Sequence, residues 1–401
     1  MKILVVSQYF WPENFRVNDL VVGLKDRGHE VTVLTGQPNY PDGEIFKEFK
    51  EDANKFSAYF GINVFRVPLW PRKSGSGFNL IMNFISFMFT AMIIGSFKLR
   101  GREFDKIFVF GNSPLTVMLP AIFIGWLKRA PVCVWVMDLW PDTLIALGVI
   151  SKGWQERIAS KFMSFLYNSC DLILGQSNEF VVSLKEMTKT PVGMLPSWSD
   201  VTAESAIFEL PSDGKLRICF AGNVGDAQDF PTLIAAANVL KASNSQAKFY
   251  IVGDGRGVNN LKIGITKNGL EDQIILLGRH PIERMASLFS QADILYLALK
   301  NDPVFDKTIP GKLQSYMAAG KPILAMLGGA GKAVVEASNS GVIVMPGDYE
   351  ALAKTVMVFE KMDESERIEM GENGLKYYTE NFDRDLVINR LAAYLASIKD
   401  R

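Results

Sequence analysis

The feature that most constrains the fold is a regular alternation of short apolar runs with helix-length segments, which passes through the chain twice. The first series of strand-like runs lies at residues 2–6, 30–35, 64–67, 106–110, 132–137 and 171–175. The second series lies at residues 217–221, 248–252, 274–277, 294–297, 322–325 and 341–345. Strands that alternate with helices form parallel sheets covered by helices on both faces. The sequence therefore predicts an α/β protein with two doubly wound parallel-sheet domains.

Composition places the boundary between these domains. Residues 197–215 are rich in Ser, Asp, Pro and Glu, as is typical of a linker. We therefore predict an N-terminal domain at residues 1–199 and a C-terminal domain at residues 200–380. Residues 381–401 form one amphipathic segment, either the last helix of the second domain or, as we predict, a helix that crosses back to the first.

Composition and charge exclude several classes of function. The 43 basic and 43 acidic residues leave no net charge to attract nucleic acid. Three widely spaced cysteines and two histidines give neither a metal-ligand spacing nor a disulfide framework. Asp383 and Asp385 have the spacing of a metal-binding pair, but acidic residues also favour the start of a helix, and we predict that second role. The apolar run at residues 3–6 is too short for a signal peptide, so we expect a cytoplasmic chain.

Ligands of such sheets bind beyond the carboxyl ends of the strands, and we expect the two domains to face a central cleft. In the second domain, Gly222 and Asn223 follow the first strand, and Gly253 and Arg256 follow the next. Small residues there let backbone amides approach a phosphate. A strand-to-helix turn without a ligand explains the glycines equally well, and the GxGxxG spacing of a dinucleotide-binding motif is incomplete. Arg256 is either a phosphate ligand or a solvated loop charge.

A helix start at residues 308–312 is more informative. Thr308, Pro310, Gly311 and Lys312 precede an apolar helical segment, so a helix N-terminus and a lysine point toward the same place. This arrangement suits a pyrophosphate.

The first domain offers carboxylates where its strands end. Asp138 and Asp142 follow one strand and Glu13 follows the first, although an aspartate at such a position is often a helix cap. His29 and His280 lie in turns, which leaves little room for histidine catalysis.

Five stretches, in this order and spacing, resemble the GT-B glycosyltransferases of family 4, the group 1 glycosyltransferases. They are residues 1–8, 24–35, 220–223, 251–255 and 317–322. Residues 9–20, 37–43 and 138–142 are similar to the bacterial L-fucosamine transferase-like branch, which builds surface polysaccharides.

The resemblance implies two Rossmann-like domains and retaining transfer without a metal or cofactor. The C-terminal domain would bind the nucleotide-sugar donor and the N-terminal domain the acceptor. For this chain it implies an N-acetylated deoxyhexosamine such as N-acetylfucosamine, a UDP donor, and a polyprenyl-diphosphate-linked acceptor in O-antigen or capsule synthesis.

This chain departs from the family at several site positions. The family's Glu-x7-Glu pair falls on Lys307 and Ser315, and its diphosphate-binding Arg and Lys fall on Asn223 and Gln228. A charged hydrogen bond contributes about 1.5–3 kcal/mol, so other cations must replace the two lost ones. We expect Lys312 to do so, with Arg279, Arg256 and Lys307 in reserve.

Two sets of residues summarise the expected site. The catalytic residues are Asp138 on the acceptor side, Glu13 as the second choice and Lys312 on the leaving diphosphate. The donor-binding residues are Gly222, Asn223, Gln228, Gly253, Arg256, Arg279, Thr308, Pro310, Gly311, Lys312 and Ser315.

One apolar segment bears on localisation. Residues 78–97 carry no charge and are long enough to span a bilayer, yet Asn79, Asn83, Ser86 and Thr90 form one helical stripe. The segment is either a core helix or a helix that lies in a membrane interface between basic flanks. The basic flanks are Arg72, Lys73, Lys98, Arg100 and Arg102. With a lipid-linked acceptor, we expect peripheral binding to the inner face of the cytoplasmic membrane.

Two other functions remain open. A UDP-sugar 2-epimerase can share the fold and would act without an acceptor. A catalytically silent nucleotide-sugar binder could serve as a scaffold for a polysaccharide assembly complex.

Overall fold

The computed structural model describes residues 1–146, 148–201, 208–211 and 213–401. It divides into two compact units, one formed by Met1–Leu195 with Val387–Arg401 and the other by Pro196–Leu386. The division thus falls a few residues before the predicted boundary at 199/200. Residues 202–207 and 212, within the predicted linker, lie outside the described residues.

The first unit is built on an eight-stranded sheet with the order β3-β4-β2-β1-β5-β6-β7-β8. Its strands are β1 (Lys2–Val6), β2 (Glu30–Gly36), β3 (Ala58–Tyr59), β4 (Ile62–Val67), β5 (Lys106–Gly111), β6 (Val132–Val136), β7 (Leu172–Gly175) and β8 (Val192–Met194). All neighbours are parallel except β3, which pairs antiparallel with β4. The sequence did not predict β3 or β8, because runs of two and three residues carry too little periodicity.

Helices of the first unit connect these strands in order. They are α1 (Arg16–Asp26), α2 (Lys47–Glu51), α3 (Gly77–Thr90), α4 (Ser96–Lys98), α5 (Met118–Lys128), α6 (Asp142–Ala146), α7 (Trp154–Asn168) and α8 (Asn178–Met187). A π-helical turn, Ala91–Gly95, joins α3 to α4, so that Gly77–Lys98 is one helix, which we call the apolar helix.

One hydrophobic cluster shows which helices share a face of the first sheet. It joins inward residues of the strands to Phe87 of α3, Ala121 of α5, Leu166 of α7 and Phe180 of α8. These four helices therefore form one layer on that face of the sheet.

The second unit contains a six-stranded parallel sheet with the order β11-β10-β9-β12-β13-β14. Its strands are β9 (Arg217–Ala221), β10 (Lys248–Val252), β11 (Ile274–Gly278), β12 (Ile294–Ala298), β13 (Ile323–Met326) and β14 (Gly341–Val344). Its helices are α9 (Phe230–Ala242), α10 (Val258–Asn268), α11 (Met285–Gln291), α12 (Pro303–Asp306), α13 (Gly311–Ala318), α14 (Gly329–Ser338), α15 (Tyr349–Lys361) and α16 (Glu364–Asn381). The order reverses beside β9, which is where a doubly wound sheet binds its ligand.

The last helix, α17 (Arg384–Ser397), begins in the second unit and continues into the first. The Asp383 carboxylate accepts hydrogen bonds from the amides of Asp385 and Leu386, so this acidic pair starts a helix. Beyond Val387 the helix contacts the first unit, where the Tyr394 hydroxyl donates to the carbonyl of Met194 over 3.3 Å.

Candidate active site

The residues that follow β9 and β10 continue the hydrogen bonding of the second sheet at its carboxyl edge. The Gly222 amide donates to the Val252 carbonyl over 2.8 Å, and the Gly253 amide donates to the Gly278 carbonyl over 2.8 Å. Gly222 and Gly253 therefore lie side by side, because each directly follows one of the neighbouring strands β9 and β10.

Only glycine fits at these two positions. Gly222 and Gly253 have φ angles of +139° and +144°, which side chains rarely adopt. A Cβ atom on Gly253 would lie 1.8 Å from the Gly222 carbonyl oxygen, and one on Gly222 would lie 2.2 Å from Cε of Lys312. The missing side chain of Gly222 therefore leaves room for the Lys312 side chain against the backbone, and that of Gly253 lets its loop approach Gly222.

Lys312 lies in the first turn of α13, directly after Pro310 and Gly311. Its Nζ is 3.9 Å from the centre of the Phe220 ring, and no carboxylate pairs with it among the residues described. Because the amine is largely removed from water, its pKa falls to about 7. An amine without a counter-ion, beside glycine backbone and a helix N-terminus, is suited to an anion.

The other predicted donor residues have different surroundings. The Gln228 side-chain oxygen accepts a hydrogen bond from the Gly225 amide within its own turn, over 3.0 Å. The Ser315 hydroxyl donates to the Gly311 carbonyl and contacts the Ser199 hydroxyl, each at 3.3 Å. The Thr308 hydroxyl donates to a carbonyl of α12. These side chains are engaged within their own unit.

Three predicted residues are exposed at the same carboxyl edge. Asn223 follows β9, Arg256 follows β10 and Arg279 follows β11. The structure thus brings Gly222 into direct contact with both Gly253 and Lys312, and it leaves the side chains of Asn223, Arg256 and Arg279 at the surface of this edge.

In the first unit, Asp138 follows β6 and contacts the loop that follows β5. Its Oδ2 accepts hydrogen bonds from the Ser113 hydroxyl over 2.7 Å and from the Ser113 amide over 3.2 Å. Trp140 Nε1 donates to the same hydroxyl over 3.2 Å. Asp138 is therefore held by a neighbouring loop rather than by the helix that follows it. The spacing of Ser113 in the sequence does not link it to Asp138, so this contact could not be predicted.

Glu13 is buried and joins the loop after β1 to the loop after β2. Its carboxylate accepts hydrogen bonds from the amides of Asn39 and Tyr40, each over 2.8 Å, and of Phe10 over 3.1 Å. Burial raises its pKa to about 7, against the lowering effect of these amides and of Arg66. These contacts organise the carboxyl edge of the first sheet.

Neither histidine lies among the carboxylates. His29 Nδ1 is 3.4 Å from the amino group of Met1, at the amino edge of the first sheet. His280 Nε2 is 3.1 Å from the Leu277 carbonyl oxygen, and its ring contacts that of Phe208.

The apolar helix turns its polar stripe inward. The side-chain amide of Asn83 donates to the Trp70 carbonyl over 2.6 Å, and the Ser86 hydroxyl accepts from the Trp70 amide over 2.7 Å. The Thr90 hydroxyl donates to the Pro68 carbonyl over 2.7 Å. The outward face of the helix is apolar and exposed, and it consists of Phe78, Ile81, Ile85, Phe89, Ile93 and Phe97. The helix is long and apolar enough to cross a bilayer, but its inner side packs on the first sheet.

Solved structures share this fold. The structure of Alr3699/HepE from Anabaena in complex with UDP superposes with a TM-score of 0.72, at 16% sequence identity, over 99% of this chain and 100% of that chain. At this identity the similarity concerns the fold, which is that of GT-B glycosyltransferases with two Rossmann-like domains.

Proteins with similar sequences are named as glycosyltransferases. The probable glycosyltransferase WbjE of Pseudomonas aeruginosa is 26% identical over 68% of this chain and 69% of its own length. The putative colanic acid biosynthesis glycosyl transferase WcaI of Escherichia coli is 26% identical over 80% of this chain and 82% of its own length. The family model of glycosyl transferases group 1 matches residues 203–377, and that of the glycosyl transferase 4-like domain matches residues 14–188. Together these models span most of the chain, which is a glycosyltransferase whose residues 203–377 match the group 1 family.

Proposed function

We propose that this enzyme transfers an N-acetylated deoxyhexosamine, such as N-acetylfucosamine, from a UDP donor onto a polyprenyl-diphosphate-linked saccharide during surface polysaccharide synthesis. The name of WcaI, which refers to colanic acid biosynthesis, supports a role in polysaccharide synthesis, and the UDP in the HepE structure supports a UDP donor. The observation that carries the proposal is the Lys312 amine, which lies on the glycine loops at the switch point of the second sheet.

In the proposed reaction the donor diphosphate binds at Gly222, Gly253 and Lys312. The bond between the sugar C1 and the diphosphate oxygen breaks on the face where the acceptor hydroxyl attacks, so the configuration at C1 is retained. The acceptor proton passes to the departing diphosphate, which also keeps the electron pair of the broken bond. Lys312 and the start of α13 stabilise the negative charge that develops there. No metal or added cofactor is part of this proposal.

We place the acceptor at the carboxyl edge of the first sheet. Asp138 is a half-buried carboxylate there, and Ser113 fixes its orientation while Oδ1 has no protein donor in the described residues. Asp138 would orient the attacking hydroxyl by accepting its hydrogen bond. Glu13, whose two oxygens already accept three amides, is the second choice for this role.

The apolar helix gives the lipid-linked acceptor a location. Its outward face is apolar along its length, and Arg72, Lys73, Lys98, Arg100 and Arg102 flank it. Such a helix can lie in the interface of an anionic leaflet, with its charges at the headgroups. We propose peripheral binding to the inner face of the cytoplasmic membrane.

The test combines UDP-N-acetylfucosamine and related UDP-hexosamines with a polyprenyl-diphosphate-linked saccharide. We expect a new glycosidic bond with the anomeric configuration of the donor, measured by NMR of the product. Asp138→Ala, which removes the oxygen that would orient the attacking hydroxyl, should lower kcat by about 100-fold with unchanged UDP affinity. Asp26→Ala, exposed at the end of α1, should leave both unchanged.

Other outcomes would replace the proposal. Isomerisation of the donor without an acceptor would identify an epimerase. UDP-sugar binding without turnover on any acceptor would identify a silent binder.

A further inference from the structure

A second apolar surface lies on α7, in the same helical layer as the apolar helix. Trp154, Ile158 and Phe165 are exposed, and Phe162 is exposed beside them. With about 100° of rotation per residue, the first three lie on the side opposite Met163, Leu166 and Tyr167, which are buried in the core. This side of α7 therefore faces away from the sheet and has no partner within the described part of the chain.

The helix α5 belongs to the same layer and also exposes apolar residues. α5 connects β5 to β6, so along the chain it lies after the apolar helix and before α7. All three helices contribute to one hydrophobic cluster on the same face of the first sheet. At the end of α5, Trp126 and Leu127 are 70% and 47% exposed. Each exposed aromatic side chain presents on the order of 100 Å² of apolar surface to water. The exposed apolar area of the three helices together is therefore larger than the largest apolar patch usual for a soluble monomer.

The charges around α7 are mainly positive. Arg129, Lys152, Arg157 and Lys161 are exposed. The only acidic residue of α7, Glu156, accepts a hydrogen bond from the Gly153 amide at the start of the helix. Exposed cations around an apolar surface complement anionic lipid headgroups, and tryptophan is enriched where a protein meets the membrane interface.

We propose that the outward faces of α5 and α7 form a second membrane contact, which binds an anionic bilayer together with the apolar helix. The inference deepens the proposed function because it gives the membrane contact a second element. Two contacts spread over one layer hold the first unit flat on the bilayer, whereas one helix alone would leave it free to rotate about the helix axis.

The experiment measures flotation of the full-length enzyme with vesicles of phosphatidylcholine, with or without phosphatidylglycerol. The α7 variant combines Trp154→Gln, Ile158→Gln and Phe165→Gln. The matched control combines Ile263→Gln, Val358→Gln and Ile368→Gln, three exposed apolar residues of the second unit. We expect the α7 variant to lose about tenfold or more in partitioning to phosphatidylglycerol vesicles and the control to bind as the wild type does.

A third variant separates this inference from the proposed function. It combines Ile85→Gln, Phe89→Gln and Ile93→Gln in the apolar helix. If this variant loses vesicle binding while the α7 variant keeps it, the second contact is wrong and the first stands. If wild-type enzyme binds neither vesicle, both contacts are wrong. Dimerisation that the α7 variant abolishes, with vesicle binding unchanged, would assign α7 to a second copy of the chain and overturn the inference.

Activity toward a water-soluble acceptor completes the test. The α7 variant should transfer sugar to a short-chain acceptor at the wild-type rate, since none of its three residues touches the candidate site. A lower rate would show that the three substitutions together disturb the fold. Vesicle binding would then be measured for each single substitution at the same positions, and unchanged binding in all of them would overturn the inference.

Discussion

At the scale of single residues, Lys312 has an amine that titrates near neutral pH. Its pKa of about 7 in the free enzyme should rise when a diphosphate binds beside it, so the complex takes up a proton. UDP affinity should therefore fall as pH rises from 7 to 9, by at most about tenfold per pH unit. Calorimetric titration across this range, in buffers of different ionisation enthalpy, measures both the affinity and the proton uptake.

Two variants check that Lys312 is the titrating group. Lys312→Met should bind UDP more weakly and without this pH dependence. Lys354→Met, on α15 in the second unit, should behave as the wild type does. The same slope in Lys312→Met would assign the proton to another group and remove the proposed role of Lys312 in binding.

Glu13 is a second buried group that titrates near neutral pH, and unlike Lys312 it is an acid. Its pKa of about 7 in the folded protein lies above its ordinary value of 4.5, so the folded state binds more protons between these values. The stability of the wild type should then fall as pH rises from about 5 to about 7. Glu13→Gln should lack this contribution and gain stability relative to the wild type across that range, as measured by urea unfolding. If the difference in stability between Glu13→Gln and the wild type stayed constant from about pH 5 to about pH 7, the lowering effect of the three amides would outweigh burial, and the Glu13 pKa would not be raised.

At the scale of elements, the close approach of the loops after β9 and β10 depends on glycine at positions 222 and 253, where a side chain would collide with its surroundings. Gly253→Ala would place a Cβ atom 1.8 Å from the Gly222 carbonyl oxygen, where backbone must move. We expect a loss of about 3 kcal/mol or more in unfolding free energy, with a loss of UDP binding. Gly278→Ala, at a φ of +73° with nothing within 4 Å of its Cβ, should cost only about 1–2 kcal/mol. Equal losses for both would show that backbone strain alone, and not the close approach, makes Gly253 necessary.

The same elements show what sequence reasoning can and cannot reach. The central strands were predicted to within a residue or two at either end, because a buried parallel strand is a continuous apolar run. The polar stripe at Asn83 and Thr90 was predicted from spacing, but its inward direction depends on Pro68 and Trp70, which a helical period does not reveal. Contacts between distant loops leave no local pattern, so neither the Ser113 bond of Asp138 nor the Lys312 contact of Gly222 could be derived.

At the scale of the whole molecule, the two units differ in continuity. The second unit is a single stretch of chain, Pro196–Leu386, whereas the first is completed by Val387–Arg401. Val387, Ile388, Leu391 and Leu395 of α17 are almost fully buried. Four such side chains contribute roughly 6–12 kcal/mol, which is comparable to the whole stability of a domain. Lys106, buried in β5, also pairs with Asp400 at 2.7 Å.

Fragments of the chain should therefore behave unequally. We expect residues 196–386 to fold alone and to bind UDP, because the glycine loops and Lys312 lie within that stretch. Residues 1–195 alone should show no cooperative urea transition by circular dichroism and should gain one when a peptide of residues 384–401 is added. A peptide with Leu391→Gln and Leu395→Gln should fail to restore it, since it cannot fill the same core positions. A fragment 1–195 that unfolds cooperatively without the peptide would show that α17 only covers the first unit and does not complete its core.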